Sequence, residues 1–539
     1  MNLFRSTGRA TRGTGFVLAA AFLVLPLAGC GDDSAARQKE ADDIAKGIES
    51  YLALISDPAN PVTLHHDKVT VTPSKTDKSF AVAITGLRFG DTKGEGVTLG
   101  EVDYRLTPAD KDTYQVDQLK LPAEIPVVLD AKTAATVRMS SGPFSATWST
   151  PLHAFLKFAW QIGDLSVKAA DAPDLTVHAD SLTMNGDGKD AGNGRLDANT
   201  DIVLSDFTVQ SPSENVAFKI AKVEDKASIA GFDLPAYQKQ MEKLRALMAK
   251  LAPAAEQAAG AQVDAQSGTQ SGSPSGDATT QAPTPAPTMP PLTDDDRKAL
   301  ADVVAALPKT VSGYSASLQI EGLAAAGKDG ASFSLAHAGS DFAFKGIDTD
   351  KAEIDLTLKH DGLDVKSPEM SDPRAQAILP KAGSLSLRAT DLPVPSLVQA
   401  VANTLPELTS GDPSRVEAAR FALMGAFMTT IGQSNIKLTV DPSWLDAAKA
   451  HLTADGAFTL ATGMPAGTVD LGLTGLDDVT ALFNATPDPV SMNALPILQQ
   501  LHDLAKRETG ADGKPVDKYT LTVAPGGMIT VNGKPLSGL

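Results

Sequence analysis

Residues 351–359 read KAEIDLTLK, and this stretch decides the fold class. Its apolar positions are Ala352, Ile354, Leu356 and Leu358, and its charged positions are Lys351, Glu353, Asp355 and Lys359. Successive strand residues point to opposite sides of a sheet, so this alternation predicts a β-strand with one apolar side and one side facing water. Residues 314–320 alternate in the same way. Long antiparallel strands with one solvent-exposed face are therefore expected to dominate the fold.

Stretches with helical spacing stand between the predicted strands. Ser34 can cap a helix that ends before Asp57, and Pro235 opens a second helix. A third starts near Thr293, with Asp296 in its first turn. The apolar stripes of the second and third helices predict that these two pack as an antiparallel hairpin. The predicted fold class is α+β, with long antiparallel β-strands forming an extended twisted sheet and amphipathic helices on one face.

Residues 254–291 interrupt this pattern. They contain no aromatic residue and three acids, and are otherwise mainly Ala, Gln, Ser, Gly, Thr and Pro. Such a composition cannot bury enough apolar surface to become ordered. The expected organisation is a signal peptide (1–29), an anchor and N-terminal helix (30–62), a β-rich first half ending in a helix (63–252), a disordered linker (253–292) and a second α+β half (293–539).

The first thirty residues have the features of an export signal. Arg5, Arg9 and Arg12 precede an apolar run from Phe16 to Leu25, which is shorter than the roughly 20 residues that a membrane-spanning helix needs. Leu27-Ala28-Gly29-Cys30 follows and resembles the bacterial lipobox. The resemblance implies cleavage before Cys30 and acyl chains on its thiol. Because Gly31 follows the cysteine, where an aspartate resembles the inner-membrane retention signal, the outer membrane is favoured over the inner one.

Charge and cysteine content narrow the possible partners. The formal net charge is −18, and removing the three arginines of the signal peptide makes the remaining chain about −21. Nucleic acid is therefore not an expected partner. Cys30 is the single cysteine, so no intramolecular disulfide can form and burial must hold the fold.

An aromatic cluster occupies residues 144–160 of a chain that is only 5% aromatic. Its members are Phe144, Trp148, Phe155, Phe158 and Trp160. Their spacing is ambiguous between helix and strand. The cluster either forms the core of the first half, which is favoured, or lines a wall for an apolar ligand.

Motifs that suggest chemistry fail on inspection. Residues 322–329 match the spacing of a phosphate loop, but Asp329 replaces the magnesium-binding hydroxyl and a strand pattern follows, so a hairpin turn is expected. Residues 185–190 resemble a calcium loop, yet Lys189 stands where an oxygen ligand is needed, and a hairpin tip is expected. His65 and His66 are adjacent and would point to opposite strand faces. The sequence therefore predicts no catalytic residues, no metal site and no cofactor.

A short strand followed by a turn and an amphipathic helix recurs near residues 231–235, 390–393 and 475–478. The chain ends in a predicted hairpin formed by residues 519–523 and 528–536. This arrangement resembles the AsmA-like and related uncharacterised envelope proteins of proteobacteria, and the resemblance concerns architecture rather than activity.

These observations lead to one expectation and two alternatives. The expected protein is a non-enzymatic, membrane-anchored envelope lipoprotein that faces the periplasm and binds or passes lipid or another apolar ligand. A structural or assembly lipoprotein that acts through protein partners is the first alternative, and a hydrolase with dispersed catalytic residues is the second.

Overall fold

The computed structural model describes most of the chain from Asp33 onward. The described ranges are 33–56, 63–91, 94–110, 113–129, 132–149, 154–192, 194–247, 250, 292–461, 464–485, 488–510 and 513–535. Cys30 and the predicted linker, apart from Leu292, lie outside these ranges.

All described strands belong to one antiparallel sheet of 23 strands. The strands of the first half are β1 (Thr63–His65), β2 (Lys68–Pro73), β3 (Phe80–Gly90), β4 (Gly96–Pro108), β5 (Thr113–Lys120), β6 (Glu124–Leu129), β7 (Lys132–Ser149), β8 (Ala154–Ala169), β9 (Thr176–Gly192), β10 (Arg195–Ser211) and β11 (Val216–Asp233). Those of the second half are β12 (Gly313–Ala326), β13 (Ser332–Lys345), β14 (Ala352–Asp361), β15 (Asp364–Lys366), β16 (Pro380–Leu392), β17 (Ile436–Ala447), β18 (His451–Ala461), β19 (Met464–Thr474), β20 (Lys506–Thr509), β21 (Pro515–Val523), β22 (Ile529–Val531) and β23 (Lys534–Pro535).

The sheet is mostly a meander in which each strand pairs with the next. From β7 to β14 every consecutive pair is hydrogen-bonded, and the series continues through β16, β17, β18, β19 and β21. The pairing of β11 with β12, from Ala217↔Ala326 to Ala230↔Gly313, joins the two halves of the chain. One sheet thus runs through both halves, and the predicted α+β class is confirmed.

Eight helices accompany the sheet in the described residues. They are α1 (Asp33–Ile55), α2 (234–247), α3 (Asp294–Ala306), α4 (Pro373–Ile378), α5 (Val394–Leu408), α6 (Pro413–Gln433), α7 (Leu476–Asn484) and α8 (Pro489–Leu504). Thr293 and Asp296 form a reciprocal capping box at the start of α3, as the sequence predicts. No described helix has the length and apolar character needed to cross a bilayer.

The helix contacts only partly match the expectation. α3 packs against α5, a partner that the sequence did not predict, and α5 in turn packs against α6. Lys250, which follows α2, forms an ion pair with Asp296 of α3. The hairpin of α2 and α3 stays a prediction, because Met248 and Leu251 of its apolar stripe lie outside the described residues.

The main core lies beneath α1. Ile48 and Leu52 of this helix are buried in one cluster with Val71, Phe80 and Val82 of the first strands. Every second residue of these strands faces the helix, so the alternation read from the sequence places the apolar set inward. Burial of such side chains contributes about 1.5 to 3 kcal/mol each.

Two local expectations are resolved by the strand pairing. In the stretch 144–160, whose period was ambiguous, residues 144–149 form the end of β7 and residues 154–160 form the start of β8. The prediction that residues 185–190 form a hairpin tip is wrong, because they lie inside β9: residues 185–187 pair with both β8 and β10, and residues 188–190 pair with β10. Strand pairing overrides the turn preference of Asn, Gly and Asp at this position.

Candidate functional site

The central sheet has two chemically different faces. Residues paired directly across neighbouring strands share a face, and residues next to one another in a strand occupy opposite faces. Leu318, Ser340 and Leu358 are paired in succession across β12, β13 and β14. The adjoining row on the other face is Ser317, Asp341 and Thr357. We call the side of Leu318 the apolar face and the side of Ser317 the polar face.

The apolar face is continuous from β8 to β17. Its large members are Phe158, Trp160, Ile162, Met184, Ile202, Leu204, Val223, Ile320, Phe342, Phe344, Ile354, Leu356, Leu358, Leu385, Leu387, Leu438 and Val440, together with Leu318. Several are left open to solvent, including Leu358 at 42% and Leu385 at 41% exposure. With neighbouring strands about 4.8 Å apart, this face extends for about 40 Å.

The same face is closed at the N-terminal end of the sheet. Val82, Tyr104 and Leu106 lie on it there, in the cluster covered by α1. Tyr114 of this cluster donates a hydrogen bond of 2.7 Å to Glu40 of α1. Burial, followed by that contact, raises the pKa of the Tyr114 hydroxyl. A covered core therefore changes into an open apolar surface along one sheet.

The predicted aromatic wall lies at this transition. Trp148, at 6% exposure, is buried in the core under α1, and Phe144 and Phe158 pack against it. Trp160 pairs with Phe144, and the two rings meet edge-on with 6.1 Å between their centroids. Trp160 begins the open part of the apolar face. The side chain of Phe155 lies outside the described residues. The structure thus brings Phe144 and Trp160 together. Trp148 belongs to the covered core, whereas Trp160 belongs to the open apolar face.

A few polar groups stand on the apolar face. The indole nitrogen of Trp160 and Nδ1 of His360 are shielded from solvent and have no hydrogen-bond partner among the described residues. Asp225 and Ser340 lie in the same row as Leu318. Unpaired polar atoms in an apolar setting are costly. The position of these groups on the apolar face could not be read from the sequence, because it depends on strand register.

The polar face is held by ion pairs between neighbouring side chains. Glu224 lies between Lys222, at 2.7 Å, and Lys226. Hydrogen bonds from Lys222, followed by those from Lys226, lower the pKa of Glu224 to about 2. Asp355 similarly pairs with Lys345 at 2.8 Å and with Arg388 at 2.9 Å. These groups satisfy one another and leave this face well solvated.

A shallow groove of about 630 Å³ crosses β9 to β14 on the polar face. Asp355 and Thr357 line it while Leu356, between them, does not, which fixes the face on which it opens. Its other polar side chains include Asp201, Ser317 and Asp341. Ser317 donates to Asp341 at 2.7 Å, so part of this lining is already paired.

No arrangement of reactive side chains stands out in the described part of the chain. Residues 322–329 form the end of β12 and the turn into β13, as predicted from the failed phosphate-loop match. Among the described residues, no group of three or more His, Cys, Asp or Glu side chains could hold a metal ion. The apolar face is therefore the most distinctive candidate site of the molecule.

Comparison of the chain with protein-family models, with curated proteins and with solved structures gives no match in any of the three.

Proposed function

We propose that this chain is a membrane-anchored envelope lipoprotein that binds or passes lipid, or another apolar ligand, along the apolar face without catalysing a reaction. The observation that carries the proposal is the run of solvent-exposed leucines on one side of the sheet. Leu318, Leu358 and Leu385 are all exposed and lie in one row. Contiguous apolar surface of this kind on a soluble body marks a binding site for apolar partners.

The chemistry of the face suits an amphiphile with hydrocarbon chains. Covering apolar surface contributes about 25 cal/mol per Å², so a chain lying across several strands gains from each row it covers. The face is a long open surface rather than a closed pocket, which suits a ligand that lies along it.

The location follows from the N-terminal sequence. Lipid attached to Cys30, in the Leu27–Cys30 lipobox, would place the sheet in the periplasm beside a membrane, with the outer membrane favoured. The strongly acidic chain repels the phosphates of nucleic acid, so nucleic acid is not proposed as a partner.

The test is to measure lipid that co-purifies with the protein from its native cells, by mass spectrometry. We expect bound lipid in the parent and a several-fold loss in the double variant Leu358→Glu with Leu385→Glu, because two charges on the apolar face oppose a hydrocarbon chain. Ser384→Glu is the matched control, since it lies next to Leu385 in β16 but on the polar face. Equal lipid in the two variants, with unchanged melting, would refute the proposed site.

A structural or assembly role through protein partners is the second candidate. It is favoured by α8, which exposes Val490 (58%), Met492 (73%) and Ile497 (61%). Photo-crosslinking from position 492 in cells would yield a discrete protein adduct if this role is correct, and none if α8 faces only water.

A further inference from the structure

Helix α6 is apolar on two sides. Its inner side includes Ala419, which is 5% exposed, while its outer side exposes Phe421 at 72%, Met424 at 65% and Met428 at 49%. From residue 421 to 433 the helix contains no charged residue. A surface helix normally has a single apolar stripe and a polar outer side. The outer stripe at spacings of three and four therefore lacks a covering partner in the described structure.

The ends of the strands form two opposite edges of the sheet, and the start of α1 lies at one of them. Arg37, in its second turn, donates to the carbonyl oxygens of Ser74 (2.9 Å), Asp77 (2.7 Å) and Ser79 (3.0 Å) in the β2–β3 turn. These three bonds fix the N-terminal end of α1 to that turn. Cys30 precedes Asp33 by three residues, a reach of at most about 10 Å. Acyl chains on Cys30 would therefore be held close to this edge.

The strand register shows that α6 belongs to the same edge. Following the strand ends from the β2–β3 turn gives the pairs Phe80↔Leu106, Thr113↔Ser149, Arg195↔Asp233, Gly313↔Lys345, Ala352↔Leu392 and Thr390↔Lys437. α6 ends at Gln433, just before β17 starts at Ile436. α8 lies at the opposite edge, because it follows the end of β19, where Thr474 pairs with His451.

We propose that α6 is a second, non-covalent membrane contact, whose Phe421, Met424 and Met428 enter the interface of the bilayer that holds the N-terminal acyl chains. The inference rests on the lipid anchor proposed for Cys30. A second attachment adds to the hold of the acyl chains, and an interfacial helix needs an apolar side without charge. A strongly acidic body disfavours anionic lipid, so the expected surface is zwitterionic phospholipid.

The test uses the full lipidated chain in vesicles of phosphatidylcholine. Because the chain has a single cysteine, which the acyl chains would block, Met424→Cys introduces one site for a nitroxide spin label. Met492→Cys is the matched control, since Met492 is also a highly exposed methionine (73%, against 65% for Met424), on α8 at the other edge. Power saturation then compares collisions of each label with oxygen, which is enriched in the bilayer, and with a water-soluble nickel chelate.

We expect the ratio of oxygen to nickel collisions at position 424 to exceed that at position 492 several-fold. Adding Phe421→Glu should bring the ratio at position 424 down towards the control value, while the protein still floats with the vesicles. Equal ratios at the two positions in floating protein would overturn the α6 contact and leave the anchor intact, as expected if a protein partner covers α6. Protein that fails to float, and takes up no labelled fatty acid, would overturn the anchor and the inference together.

Discussion

Gly186 shows how one missing side chain allows two strands to pack. It pairs with Phe158 across β8 and β9, and a Cβ atom built on it would lie 1.9 Å from Cε1 of the Phe158 ring. The ring therefore covers the glycine backbone on the apolar face. The two residues are far apart in sequence, so no local pattern could reveal this contact before the register was known.

Gly186→Val should destabilise the protein by about 1 to 3 kcal/mol, because the new side chain must displace the Phe158 ring. Urea unfolding measures the change. Gly327→Ala is the control, since a Cβ at Gly327 meets no atom within 4 Å and its φ of −131° suits any residue. We expect the control to stay within about 0.5 kcal/mol of the parent. Equal effects of the two changes would contradict the packing role of Gly186.

At the scale of one element, β11 carries the charges that keep the polar face in water. Glu224 takes hydrogen bonds from Lys222 and Lys226, and its pKa falls to about 2, whereas an unfolded chain gives a glutamate about 4.3. Because the folded-state pKa is the lower one, the ionised group contributes stability that is fully present above about pH 4.3. That contribution is lost as the pH falls towards 2.

Glu224→Gln should therefore lower the urea midpoint at neutral pH, and should reduce the loss of stability between about pH 4.5 and 2.5 relative to the parent. Equilibrium unfolding at a series of pH values measures both effects. Glu321→Gln on the neighbouring strand removes only a longer contact, of 3.7 Å, to Lys222 and should change both less. An acid profile of Glu224→Gln parallel to that of the parent would show that this carboxylate is unimportant.

The helices and strands that could be predicted from the sequence are those whose signals lie within the element itself. The alternation in residues 351–359 gave β14 directly, and Thr293 with Asp296 marked the start of α3, because both signals lie within one strand or one helical turn. Residues 185–190 were misread because the turn preference of their glycines is local, whereas the pairing that overrides it comes from β8 and β10. The contact of α3 with α5 was likewise set by long-range packing.

At the scale of the whole molecule, one sheet passes through both halves of the chain. β11 and β12 are paired over most of their lengths although residues 248–293 separate α2 from α3. The sequence predicted a β-rich first half ending in a helix, a second α+β half and the class of the fold. The partner with which β11 pairs across so long a segment has no local signal. Alternating strands imply an apolar face, so the sequence predicted that such a face exists. Its exposure to solvent depends on where the helices pack, which the sequence does not show.

Cutting the chain between Ala254 and Pro291 should therefore not separate the halves. We expect mild proteolysis to cut this segment first and both fragments to co-elute in native chromatography, held by the β11–β12 ladder. Replacing residues 254–291 by a short Gly/Ser loop should leave the melting transition in place, because loop closure changes by only about 0.6 kcal/mol per doubling of length. Fragments that elute apart with intact folds would show that the halves are independent.

The meander from β7 to β14 has a further consequence for how such a chain varies in length. From β8 to β12 each strand is hydrogen-bonded to the strand before it and to the strand after it, so the stability of this part of the array is close to a sum of nearest-neighbour terms. Inserting or deleting a whole hairpin would preserve the register of every other pair and keep both faces aligned. The number of hairpins then acts as a ruler, which sets the distance the apolar face covers in steps of about 10 Å.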